Sequence, residues 1–294
     1  GGVYPLGGCN SESWGARECE ARKRGRPGGR RVSHLRRAAT GGDSESVNAP
    51  SPISVRQRYA DAITRSAESD LGAPLVEATN VVAAADRGGS TAAVAYPLGA
   101  CTVIWCAAEL RPSLSELDGR PALGLDEFVQ AGLDLGGKLV GFGHHRVLSD
   151  ELAAPSIDPA RLVVLDRHDP GDIARIAAFV ADCADDDLDE AELDREQLDP
   201  VIVAVLAVDG AIAAYACARP WSFDGDFDDI AVIVHPERRG DGLATIAVRA
   251  LIARQQRAGR LMFYNCDVEN RGSNAVAESL GFELVCTVAA VSFT

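Results

Sequence analysis

Apolar residues follow no period over the first 50 positions, and from residue 54 onward they fall into regular spacings. "SVRQRYADAITRSAESDLG" has the helical period, with Ser54 as N-cap and Gly72 as the closing residue. Short apolar runs in "TNVVAAA", "TAAVAYP" and "CTVIWCA" predict strands. "AELRPSLSEL" and "LGLDEFVQAGLDL" predict helices, and "KLVGFGHHRVL" a further strand. His144 and His145 are neighbours on that strand, so they point to opposite faces and cannot serve one metal from it.

A second unit starts near Pro159. "ARLVVLD" reads as a strand and "DPGDIARIAAFVADCA" as a helix, with Asp169 or Asp172 near its N-cap and Pro170 in the first turn. The acidic stretch "LDEAELDREQL" predicts a helix. "VIVAVLAV" and "AIAAYACA" flank Asp209-Gly210, a hairpin signal because the turn needs positive φ. Next come the strand "DIAVIV", a glycine loop, a helix over 242–257, the strand "LMFYNC", a helix around 272–280 and the strand "FELVCTVAAVSF". The pattern divides the chain into a basic tail (1–50) expected to be disordered, a small α/β domain (51–155) of unassigned role, and a second α/β domain (160–294).

Charge sharpens that division. The chain of 294 residues carries a net −14, but residues 1–50 hold nine Arg and Lys against five Asp and Glu, a net +4. The other 244 residues hold 20 against 38, a net −18. An acidic body repels nucleic acid and anionic membrane and favours cationic partners. The basic run from Arg22 to Arg37 reads as a solvated tail in preference to a nucleic-acid arm. No apolar run reaches the length of a membrane span, and no metal-ligand spacing occurs. The eight cysteines form no CxxC pair, and most of the last six lie within apolar runs, as buried thiols of a reducing compartment do; a cytoplasmic location is expected.

Chemistry concentrates at "VIVHPERRGDGLATIAVRALI", residues 232–252. Gly240 and Gly242 have no side chain to block an approaching ligand. The helix that follows would aim its first-turn N–H groups and the positive end of its dipole at the loop, so an anion fits there. The match Arg239-Gly240-Asp241-Gly242-Leu243-Ala244 is a weak motif alone, and its place between strand and helix strengthens it. "NRGSNAVAESLGF" adds Asn270, Ser273 and Gly281-Phe282 at a specific spacing.

With these motifs in this order, residues 160–294 resemble the GNAT superfamily, the Gcn5-related N-acetyltransferases. The resemblance implies a mixed, mostly antiparallel sheet flanked by helices. It also implies that acetyl-CoA, as co-substrate, rests its diphosphate on backbone N–H groups from Arg239 to Ala244, with Thr245 beside them. Its pantetheine arm would run between the strand ending at Val234 and the strand ending at Cys266, with Ile233, Val234, Asn270 and Ser273 near it. Residues 51–155 would then be a domain of unassigned role or a diverged copy of the same fold.

Two positions depart from the family. Ala277 stands where many members carry a general-acid Tyr, and Asp228 and Asp229 stand near the usual place of the general base, so one of them is the candidate base. The expected reaction is direct attack by a small-molecule or peptide amine on the thioester, with a backbone N–H around Ile233 to His235 facing the oxyanion. From Asp182 to Asp199, ten of eighteen residues are acidic, which a cationic acceptor would suit; a solvated face explains them as simply. Cys266 reads as a core residue. Two other readings stay open: a catalytically degenerate protein that binds acyl-CoA, and a dinucleotide-binding oxidoreductase built on "GDGLAT" with Asp267 as the ribose acid.

Overall fold

The computed structural model describes residues 53–84, 91–191, 193, 201–207 and 209–293. The basic tail, and most of the acidic helix expected over 188–198, lie outside the described residues. Helix α1 (Val55–Leu71) starts where its cap predicts, with Ser54 Oγ accepting from Gln57 N–H and Gly72 closing it at φ +67°. Strands β1 (Thr79–Ala84), β2 (Ala92–Leu98) and β3 (Cys101–Ala107) follow, then one turn of helix α2 (Arg111–Leu114), helix α3 (Leu125–Asp134) and strand β4 (Lys138–Leu148).

The second stretch opens with β5 (Leu162–Leu165), α4 (Pro170–Ala181) and the short α5 (Asp185–Glu190). Asp169 is the N-cap of α4, accepting from Gly171 and Asp172 N–H, and Pro170 lies in its first turn. α5 begins earlier than the sequence pattern suggests, because three aspartates fill its first turn where the helix dipole favours them. Then come β6 (Val201–Leu206), β7 (Ile212–Trp221), β8 (Asp224–Val234), α6 (Leu243–Arg257), β9 (Leu261–Asp267), α7 (Arg271–Ser279) and β10 (Glu283–Ser292). The hairpin between β6 and β7 turns at Gly210, φ +86°.

All ten strands form one sheet in the order β1-β3-β2-β10-β4-β9-β8-β7-β6-β5. Among the described residues, only β1 with β3 and β8 with β9 run parallel; every other pair is antiparallel. That order lacks the parallel sheet the dinucleotide reading needs. β4 comes early in the chain, yet it lies between β10 and β9 and bonds to both. The sheet therefore runs without a break through the residues on either side of 155–160, and contacts place 54–294 in one compact unit.

Side-chain alternation gives the sheet two apolar faces. On β9, Met262 and Tyr264 pack with α6 and α7, while Phe263 packs with Tyr59 of α1 and Trp221. On β7, Ala214, Ala216 and Ala218 face α6, and Tyr215 and Cys217 face α4 and α5. Small residues on β7 let α6 lie close, and its Ala247, Val248, Leu251 and Ile252 are all buried. At the other end, α3 covers β10; a Cβ at Gly132 would come within 2.8 Å of a Val291 methyl, so only glycine permits that contact.

Candidate active site

The parallel pair β8–β9 is bonded only from Phe227 opposite Leu261 to Ile230 opposite Tyr264. Beyond that point the strands part. β8 continues to Val234 bonded to β7 alone, and β9 continues to Asp267 bonded to β4 alone. The result is a fork, with Ile233 and Val234 on one prong and Asn265 to Asp267 on the other. Each prong leads through a turn into a helix, so α6 and α7 both start at the open end and both direct the positive ends of their dipoles toward it.

On the β8 side, His235 accepts from Glu237 N–H at Nδ1 (3.3 Å) and caps a short turn, Pro236–Arg238. Gly240 (φ +89°) and Gly242 (φ +71°) carry the chain into α6 in the left-handed region. No side chain caps α6. A Cβ at either glycine would meet nothing within 4 Å, so open space lies against the backbone that leads into the helix. Ala244 and Thr245 stand half-buried in its first turn. Arg239 is half-exposed, with its Nη2 2.6 Å from Asp187 of α5.

On the β9 side, Asn270 Oδ1 accepts from Ser273 N–H (2.9 Å) and caps α7, while its Nδ2 donates to Glu190 of α5. Ser273 Oγ lies 2.8 Å from the hydroxyl of Tyr264. Tyr264 is 1% exposed, its ring 5.3 Å from that of Phe282, and Ala277 is buried in the same cluster. Burial, first of all, holds the Tyr264 phenol well above its ordinary pKa, and the nearby charges of Asp229 and Glu190 act in the same direction. Burial likewise pushes the Cys266 thiol up to about 11, so it stays protonated.

The fork gathers Ile233, Val234, Arg239, Gly240, Gly242, Ala244, Thr245, Asn270 and Ser273 from two distant stretches of sequence. The two candidate bases separate. Asp228 is 2% exposed at the closed end of the fork, where it accepts from Gln255 Nε2 and from Arg260 Nε (3.0 Å) and Nη2. Its oxygens are committed to structure. Asp229 points to the opposite face, half-buried, across from Arg219 on β7 and Phe263 on β9.

On sequence alone Tyr264 is no obvious substitute for the missing general acid, Asp187 is one of three aspartates of an acidic rim, and Glu190 is passed over. For Tyr264 the available signal was its place one turn of alternation before Cys266 on a strand leading to the Asn270 cap. The acidic run gave no hint of which carboxylates would face the fork. His145 is 2% exposed, with Nδ1 2.6 Å from the Tyr59 hydroxyl, and His144 is partly exposed on the other face, as their adjacency requires. No cluster among the described residues could hold a metal ion, and no helix there is long and apolar enough to cross a membrane.

A mixed sheet that forks at the β8–β9 parallel pair, with an uncapped helix starting at the fork, is the arrangement this part of the chain presents. Residues 171–282, from α4 to the turn after α7, match the Acetyltransferase (GNAT) family, and this segment belongs to the GNAT superfamily. Among solved structures, a putative GNAT-family acetyltransferase from Novosphingobium aromaticivorans is 21% identical. That match covers 54% of this chain and 69% of the other, with a TM-score of 0.41. A GNAT-family acetyltransferase from Colwellia psychrerythraea is 14% identical over 63% of this chain and 70% of its own, TM-score 0.43. A tandem GNAT protein from the clavulanic acid biosynthesis pathway is 17% identical over 59% of each chain, TM-score 0.43. No curated protein matches.

Proposed function

We propose that the protein transfers an acetyl group from acetyl-CoA to the amine of a small molecule or peptide. The observation that carries this is the fork, with the uncapped start of α6 and two open glycines on one prong. Backbone N–H groups from Arg239 to Thr245 hold the diphosphate, helped by the α6 dipole. The edges of Ala231 to Val234 and of Asn265 to Asp267, which no strand bridges across the fork, accept an extended arm between them, as an added strand would lie. That puts the thioester near the apex, beside Ile230 and Tyr264.

Asp229 lies on the face opposite α6 and, directly or through water, takes the proton an ammonium must lose before it attacks. The amine nitrogen bonds to the carbonyl carbon, a β8 backbone N–H just past Ile230 faces the oxyanion, and as the carbonyl re-forms the C–S bond breaks, the departing thiolate taking up the proton that the nitrogen gives up. Tyr264, held protonated by burial and paired with Ser273, donates a hydrogen bond to the sulfur as charge develops on it. Ala277, buried in the same cluster, has no group that could act as the acid. The net −18 of residues 51–294 suits a cationic acceptor, and the free thiols suit a reducing, cytoplasmic setting.

The test is titration with CoA, then thiol release from acetyl-CoA with a panel of amines. CoA should raise Tm, and Gly242→Val should weaken CoA binding by at least tenfold, because a branched side chain both strains φ +71° and fills the open space. Steady thiol release dependent on an amine supports the transferase. Tight CoA binding without release would leave only the acyl-CoA binder, and equal CoA affinity in Gly242→Val would remove the loop from the reading.

A further inference from the structure

Three carboxylates from one short stretch reach both prongs of the fork. Asp182, just after α4, lies 3.6 Å from His235 Nε2. Asp187 lies 2.6 Å from Arg239 on the same prong. Glu190, three residues on and hence on the same face of α5, accepts from Asn270 on the other prong. Between them Leu188 is 3% exposed and fixed in the apolar cluster with Phe179, Tyr215 and Ile233. α5 therefore spans the open end, pinned at its middle by a buried leucine and tied at each side by a carboxylate.

Arg239 and Asn270 stand on opposite sides of the opening, and both are engaged by this helix. We infer that α5 is a latch across the empty fork, in which Asp187 holds on Arg239 the place a ligand phosphate takes, so that binding of a diphosphate must release it. The inference rests on the anion-binding reading of the 239–245 loop. Its physical basis is competition between like charges for one guanidinium. A phosphate arriving at Gly240 meets the Asp187 carboxylate at close range, and either the carboxylate leaves or the two repel. The contacts are solvent-exposed enough to break: the Arg239 side chain is 51% exposed and that of Asp187 30%. Exposed ion pairs of this kind are weak, so the latch slows and weakens binding without abolishing it.

The experiment compares Asp187→Asn with Glu190→Gln in one double variant, Asp186→Asn with Asp189→Asn in a control double variant, and the wild type, by calorimetric titration with CoA at low and high salt. Asp186 and Asp189 are on the same helix and exposed, so their change removes the same two charges without touching the fork. The double variant should bind CoA roughly five- to tenfold more tightly than the control at low salt, a gap that narrows as salt rises. Faster association in stopped flow should accompany it. Tightening no greater than the control's, or weaker binding, overturns the latch while the coenzyme reading stands. CoA binding by none of the three proteins overturns both.

Discussion

Arg260→Met tests what Asp228 is for. Asp228 is 3% exposed at its side chain, and its carboxylate is met by Gln255 Nε2 and by Nε and Nη2 of Arg260. Arg260 also donates to the backbone oxygens of Gly225 and Phe227, so it ties the start of β8 to the start of β9. Methionine keeps the apolar stem and removes the charge. The buried carboxylate then keeps only a neutral amide partner, a loss worth about 3–5 kcal/mol for a broken buried pair. In a unit of this size that corresponds to a fall in Tm of roughly 10 °C. Asp228→Asn should cost less, about 1–3 kcal/mol, because Arg260 is 24% exposed and keeps its two carbonyl partners. The double variant should fall well short of the sum, since the pair is a single unit. Urea unfolding of all four proteins gives the cycle, and acetyl-CoA thiol release per folded molecule is read alongside. If Arg260→Met costs under ~1 kcal/mol, the pair does not hold the strands together. If Asp228→Asn leaves stability intact and abolishes turnover, Asp228 is a base after all and the assignment to structure fails.

Two further outcomes follow from buried titratable groups. Burial holds the folded pKa of His145 near 3, below the 6.5 of an exposed imidazole, so between those values the unfolded chain carries a proton the folded one lacks. Stability from this residue is full above pH 6.5 and is lost as pH falls toward 3, about 1.4 kcal/mol of it between pH 7.5 and 5.5. His145→Gln should lack that component, and equal Tm-against-pH slopes in the two proteins would contradict a neutral buried ring. Cys266, with its thiol raised to about 11, should serve only packing. Cys266→Ala should keep thiol release within roughly threefold, at a cost of about 1 kcal/mol in stability; an acyl group found on Cys266 by mass spectrometry would refute this.

Local pattern carried much of the fold. Ser54 and Gly72 bound α1, Asp169 and Pro170 start α4, and Asp209-Gly210 turns the β6–β7 hairpin, because caps and turns are settled by contacts within a few residues. The glycine loop was legible for the same reason: its chemistry is backbone beside a helix start. What the two aspartates before it do was not legible. Asp228 and Asp229 look alike in the chain, and a strand's alternation sends one to Arg260 and the other to the opposite face.

The sequence by itself thus determined most of the elements, several of their caps and the glycine loop that leads into α6. Only the tertiary structure decided that β4, read from its position as part of a separate first domain, inserts between β10 and β9 and makes one sheet of ten strands. It also decided that the carboxylates of α5 reach across to Arg239 and Asn270, 52 and 80 residues further on. The reason is that a strand's apolar period states which face is buried and leaves its neighbours unstated. Pairing is settled by contacts between residues far apart in the chain, whose loop-closure cost is met only when the whole sheet forms.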